Sequence, residues 1–196
     1  MDNSVLRSLV WLDFRLAVVF TVIAPLLLLF WAYKDKNSSV LRSLTIYWRV
    51  SFLLAITVYL LMASLPIGFL TGWAARILMP VSLWFWQDLN EDIDRSKGKL
   101  SLIYTSWRWA MAIYCAIGTI FGVGFLKCGF TSAEQLDDSC KILLEAPLQF
   151  KAIFHNGVNV DTLAFGAIVA LIVYLICFAV FAIFNLPKQG RIAFRD

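Results

Sequence analysis

What most constrains this chain is how far it runs without a charge. Residues 16–33, 50–75, 77–86, 109–126 and 162–186 contain no Asp, Glu, Lys or Arg. A helix needs about 20 largely apolar residues to cross the hydrocarbon core of a bilayer. Lipid offers no partner to the backbone, so runs of this kind read as membrane helices. Composition closes the alternatives. Hydrophobic residues make up 61% of the 196 and charged residues only 15%, against roughly a quarter charged in a soluble domain. With 10 Gly and 5 Pro beside 15% aromatics, neither a collagen-like repeat nor a disordered segment fits. The expected fold is all-α: one polytopic helical membrane domain over residues 1–196.

The number of spans turns on residues 47–86. Two helices, 47–64 and 67–86, with a turn at Leu65-Pro66 give five spans, the N-terminus outside (lumenal) and the C-terminus cytoplasmic. Four spans plus a re-entrant or interfacial segment are the alternative. Lys and Arg favour cytoplasmic loops. Setting Arg76 aside, five spans place Lys34, Lys36, Arg42, Arg49, Arg95, Lys97, Lys99, Arg108, Lys188, Arg191 and Arg195 inside. Arg7, Arg15, Lys127, Lys141 and Lys151 fall outside, eleven against five. Four spans with both termini inside give ten against seven, a weaker bias. Trp31, Trp48, Trp84, Trp86, Trp107 and Trp109 fall at the cytoplasmic ends of the five spans, where Trp prefers the interface. Five spans are therefore expected. The start of the chain, with Asp2 and Asp13 and no small-residue cleavage site, does not read as a removable signal peptide. Its first 15 residues read instead as a short amphipathic helix lying on the membrane surface. The hexapeptide Ser4-Val-Leu-Arg-Ser-Leu9 recurs at residues 39–44, suggesting two similar interfacial helices.

The longest loop, residues 127–162, is expected outside the membrane. Cys128 and Cys140 bound its polar part, and an oxidising compartment permits a disulfide there. Closing so short a loop is worth about 3 kcal/mol; two free thiols are the alternative. Cys115 and Cys177 lie in spans and read as packing residues. Residues 142–154 are too apolar for a solvated loop and too interrupted for a span, so they are expected to lie along the outer surface or on a partner. His155 follows. It is the one histidine, a candidate pigment or haem ligand, with a plain polar residue at a helix end as the other reading. A bis-histidine haem is excluded.

Arg76 is the charge expected inside the membrane, where it costs a few kcal/mol. Pro80, four residues on, cannot donate to its carbonyl, so a kink is expected. No acid lies within another expected span, which leaves backbone carbonyls, snorkelling, a lipid head group or another protein to receive the guanidinium. Asp88, Glu91 and Asp92 share one helix face at i, i+3 and i+4. They could hold a divalent cation or form a solvated acidic end answered by Arg95, Lys97 and Lys99. Gly118 and Gly122 form a G-x-x-x-G, Ala112 and Ala116 line a neighbouring stripe, and Gly166 with Ala170 repeats the pattern, all suited to close helix packing. No G-x-S-x-G, phosphate-cradling glycine loop or H-E-x-x-H occurs. The net charge of +4 is met by anionic lipid without nucleic acid.

Leu9-Val-Trp-Leu-Asp-Phe-Arg-Leu-Ala17, Ile46-Tyr-Trp-Arg-Val50 through Ala55-Ile-Thr-Val-Tyr59, Leu65-Pro-Ile-Gly-Phe-Leu70 and Trp84-Phe-Trp-Gln-Asp-Leu-Asn90 carry a resemblance. Over most of its length the chain resembles a family of small uncharacterised thylakoid membrane proteins of cyanobacteria and plastids. The resemblance implies a place, a thylakoid or bacterial inner membrane, and no activity or functional residues. Two roles are then expected to compete. The first is a non-catalytic accessory, assembly or peripheral subunit of a photosynthetic or respiratory membrane complex, partnered by lipids and other membrane-protein subunits. The second is a small transporter or channel with Arg76 in its path. An enzyme is not expected. Bound lipid, chlorophyll or carotenoid are the cofactor candidates in a complex, and the cofactor question stays open.

Overall fold

The computed structural model describes residues 2–189 and 191–193; Arg195 lies outside them. The described residues form seven main helices and no strand. These are α1 (Asn3–Lys34), α2 (Ser38–Met62), α3 (Ile67–Trp84), α4 (Gln87–Arg95), α5 (Lys99–Val123), α6 (Asp138–Phe154) and α7 (Val160–Lys188). Among the described residues four of them, α1, α2, α3 and α7, are long and apolar enough to cross a membrane. The chain is an integral membrane protein. Helix α5 has 25 residues but falls outside that set, because Arg108 and a series of Trp, Tyr and Ser residues dilute its apolar content.

Local chemistry explains the breaks. After α1, Lys36 takes a left-handed conformation (φ 52°) and the Asn37 N–H donates back to the Ala32 carbonyl. The Asn37 side chain then caps α2 by accepting from the Val40 N–H at 3.0 Å, the usual role of Asn at a helix start. Between α2 and α3, Ser64 is left-handed (φ 54°), the Leu65 N–H closes onto the Leu60 carbonyl, and Pro66 opens the next helix. Residues 47–86 therefore hold two helices with the expected turn. Helix α3 continues through Pro80.

Two expectations about surface helices are overturned. The N-terminal residues do not form a separate interfacial helix, since α1 is continuous from Asn3 and carries Asp13 and Arg15 within it. At 1.5 Å per residue its 32 residues extend about 48 Å, longer than a bilayer core of about 30 Å. The hexapeptide repeat likewise opens two long helices, with Leu6 buried in α1 and Val40, Ser43 and Leu44 buried in α2. Residues 142–154 lie within a continuous helix, α6, which includes Pro147.

Helix α2 is the central rod, packing on α1, α3, α4, α6 and α7, while α5 packs on α3 and α1. One end of the bundle gathers the start of α1, the α2–α3 turn and α6. There Cys128 and Cys140 are bridged, over Phe69, Leu136 and Leu144. The opposite end gathers the α1–α2 turn, α4 and the end of α7, where Trp86 and Leu89 pack with Phe181 and Leu186. The main core runs between them through Leu28, Leu44, Tyr47, Met79, Leu83 and Tyr104. Buried hydroxyls are paired: Ser43 with Tyr104 at 2.6 Å, Ser101 to the Ile93 carbonyl at 2.6 Å, and Thr57 to the Leu53 carbonyl at 2.9 Å. In lipid, where apolar contact alone gives helices little reason to associate, such bonds and close packing hold the bundle together.

Candidate functional site

Arg76 lies about 13 Å along α3 from its first residue, and Asp13 about 15 Å along α1. The packing brings them together. Arg76 Nη2 donates to Asp13 Oδ2, and the Tyr114 hydroxyl of α5 donates to Asp13 Oδ1 at 2.9 Å. The expectation that Arg76 lacks an acidic partner within the protein is therefore wrong. It failed because Asp13 was read as lying outside the first span. Pairing offsets the cost of two ions in a low-dielectric setting, and each is stranded if the other is removed.

Two glycines of α5 make room for α3. A Cβ at Gly118 would stand 2.2 Å from Arg76 Nη1 and 3.0 Å from its Cζ. At Gly122 a Cβ would stand 3.0 Å from Trp73 Cδ1, and the Trp73 indole N–H reaches the Thr119 carbonyl at 3.1 Å. The G-x-x-x-G thus seats the side chains of Trp73 and Arg76 against α5. The other small residues separate. Ala112 is half-buried, Ala116 is exposed, and Gly166 and Ala170 border a groove of about 430 Å³ between α2 and α7.

Beside the ion pair lies a cavity of about 310 Å³, open on one side and bordered by α1, α2, α3, α6 and the C-terminal part of α5. Its wall is almost wholly apolar, with Val58, Phe69, Phe121 and Leu143 among the lining residues, and Asp13 and Arg76 interrupt it. Val18, Thr21 and Val22 contribute from a wide π turn, Val18–Ile23, inside α1. Two buried donors fix that turn from behind: the Tyr47 hydroxyl binds the Thr21 carbonyl at 2.8 Å and the Trp107 indole binds the Phe20 carbonyl at 3.0 Å. Trp48 also lines the cavity, and its indole N–H has no acceptor among the described residues.

A second cluster, at the α4 end, escaped the sequence reading. Arg108, counted there as a loop charge, is 1% exposed. Its guanidinium lies 4.2 Å from the Trp84 ring centroid, donates to Asn90 Oδ1 and pairs with Asp94 at 3.3 Å. Leu89 and Ile93, at i and i+4, bury the apolar face of α4 beneath it. That spacing was the available sign that α4 docks on the bundle and could bring a buried cation its partners.

The remaining expected residues are dispersed or otherwise engaged. Both Asp88 carboxylate oxygens accept from the Ala193 N–H, at 2.9 and 2.8 Å. Glu91 pairs with Arg95 at 3.1 Å, and Asp92 is exposed. These three acids do not converge on a common point. The metal-type grouping found among the described residues is Cys128, Asp137 and Cys140, whose sulfurs are committed to the disulfide. His155 ends α6, with Nε2 3.3 Å from the Tyr59 hydroxyl and its ring edge-on to Tyr59. It ties α6 to α2. On the same helix Glu145 binds Arg7 at 2.9 Å. Asp137 caps α6 by accepting from the Cys140 N–H at 2.8 Å. Lys127, 2.6 Å away, and then that N–H hold its carboxyl below the ordinary carboxylate range.

The architecture defines a polytopic helical membrane protein with a neutralised charge pair inside its bundle. Within that class, the chain belongs to the DUF3177 family of proteins of unknown function, whose profile matches residues 7–194. No curated protein and no solved structure matches it.

Proposed function

We propose that this protein is a non-catalytic accessory, assembly or peripheral subunit of a larger membrane complex. The observation that carries the reading is the disulfide end. Helix α6 is fixed there by Cys128–Cys140, by Arg7–Glu145 and by Tyr59–His155. Nearby Phe130, Ile153 and Phe154 are 81%, 65% and 66% exposed. Large apolar side chains held rigidly on such a platform suit a protein surface, because little ordering cost remains when a partner docks.

In this reading the chain crosses five times, α5 included, with the disulfide end outside and the α4 end in the cytoplasm. A disulfide suits the oxidising side, and the basic residues gather at the other. The resemblance to thylakoid proteins favours a thylakoid or bacterial inner membrane and a photosynthetic or respiratory complex. Deleting the protein should lower the amount of one assembled complex on native gels. Phe130→Ser with Phe154→Ser should do the same while the variant stays in the membrane at normal abundance. Unchanged complexes in both strains would refute the role.

Transport is the second reading, favoured by Arg76 in the wall of a cavity. Purified protein in liposomes would then move a solute, and Arg76→Ala would abolish that flux.

A further inference from the structure

The cavity beside Asp13 and Arg76 is built to choose a ligand. In a bilayer an apolar wall prefers a hydrocarbon chain no more than the surrounding lipid does, so selectivity has to come from the few polar groups. Those groups offer donors. A guanidinium carries five N–H donors, and Asp13 takes one from Arg76. The Asp13 oxygens, by contrast, already receive Arg76 and Tyr114. Charge narrows the choice further. The pair is neutral as a unit, so an anionic head would meet the Asp13 carboxylate and a cationic head would meet Arg76, both in a setting of weak screening. An uncharged acceptor meets neither penalty.

The site is also fixed in shape. Gly118 leaves the space in which the guanidinium lies, and Tyr47 and Trp107 fix the π turn from outside the cavity. Turns of this kind are rare and gather at functional sites. Leu143, Ala146 and Pro147 of α6 line the part of the cavity contributed by the disulfide end.

We propose that this cavity binds an uncharged, chain-bearing carbonyl lipid, with its chain along the apolar wall and a carbonyl oxygen accepting from Arg76. Two sources share that chemistry: a glycerolipid ester and a long-chain quinone. Binding is read on the isolated chain and the accessory role on complexes in cells, so either can fail alone. The probe is a diacylglycerol with a photoactivatable group on one acyl chain, added to the full-length protein in mild detergent. Its crosslinks should map to cavity residues such as Phe52, Val58, Phe69 and Leu143. Excess unlabelled diacylglycerol or decyl-benzoquinone should displace it, and the stronger competitor identifies the source. Hexadecane, which lacks a carbonyl, and anionic phosphatidylglycerol should not. Val58→Trp, which fills the cavity and leaves the ion pair, should cut labelling about tenfold. In Asp13→Leu/Arg76→Leu the carbonyl competitors should lose about tenfold of their advantage over hexadecane, as the loss of a hydrogen bond to a charged group implies. Crosslinks that map elsewhere on the wild-type chain, or displacement by hexadecane as effective as by the carbonyl compounds, would overturn the proposal whether or not the variants fold.

Discussion

Arg76 shows how one residue sets terms for its neighbours. Its charge demands Asp13, Asp13 takes the Tyr114 hydroxyl, and the guanidinium needs the space that Gly118 leaves. Gly118→Ala puts a methyl group 2.2 Å from Nη1, so the guanidinium must shift from its place beside Asp13. The expected cost is the overpacking penalty of about 1–3 kcal/mol plus part of the ion pair. Asp13→Ala, which leaves a half-buried cation without its partner, should cost about 1–3 kcal/mol. The two effects share a cause, so they should not add. Once Asp13 is gone Arg76 is free to move, and Gly118→Ala should then cost less by about 1 kcal/mol or more, within the range of coupled neighbours. Unfolding midpoints in detergent for the two single variants and the double variant would measure this. Strict additivity would mean that Gly118 serves helix packing independently of the pair. Arg108 solves the same problem differently, with Trp84 across its face and Asn90 and Asp94 at its edge, an arrangement suited to a planar guanidinium and not to a lysine.

At the scale of the element, α6 is the helix whose position depends most on specific bonds. It lies on α1 and α2, and three side-chain ties reinforce that packing. Its start depends on Asp137, which accepts from both the Cys140 N–H and Lys127. Because the folded state binds the ionised carboxylate more tightly, the contact is at full strength above the ordinary Asp pKa of about 3.9. It weakens as pH falls through the lower value that Asp137 has in the fold. Hydrogen exchange at the Cys140 amide, corrected for intrinsic rate, should therefore stay constant from neutral pH to about 4 and quicken below that. In Asp137→Asn, which still caps but does not titrate, protection should be lower at neutral pH and should lack this acid step. The same step in wild type and variant would assign it to another group. The disulfide was legible in the sequence because two cysteines bounded a short polar segment. The helix itself was not. Pro147 and the scattered charges looked like interruptions, whereas the helix runs straight on through Pro147 in sequence, from Asp138 to Phe154.

Across the whole molecule, the sequence was legible wherever apolar runs and turn residues decided the matter. The Leu65-Pro66 turn, the alternation of long helices and the basic end all follow from local chemistry. What stayed hidden was pairing at a distance. Asp13 looked external because counting charges cannot tell a helix that continues from one that begins at the next apolar residue. Arg108 looked like a loop cation because the same count treats every Arg as solvated. Gly118 and Gly122 were recognisable as small but not as seats for Trp73 and Arg76. Topology follows from how the rods alternate. Helix α5 begins beside α4, where Ser101 binds the Ile93 carbonyl, and leads to Gly129, where a Cβ would stand 2.5 Å from Leu70 Cγ. It therefore runs the length of the bundle beside α3. If α1, α2, α3, α5 and α7 all cross, Asp35 and Lys97 share one side and Ser132 faces the other. If α2 and α3 together cross only once, Asp35 and Lys97 must be on opposite sides. A chain with its native cysteines replaced, carrying Asp35→Cys, Lys97→Cys or Ser132→Cys singly, separates the two with a membrane-impermeant thiol reagent. All three positions are exposed, so failure to react reports sidedness and not burial. In sealed membrane vesicles with the cytoplasmic face outward, Asp35→Cys and Lys97→Cys should react directly, while Ser132→Cys should react only after the membrane is opened. Protection of Asp35→Cys together with Ser132→Cys, with Lys97→Cys reacting, would reduce the spans to four. It would also leave the Asp13–Arg76 pair to be explained within a bundle in which α2 and α3 do not both cross.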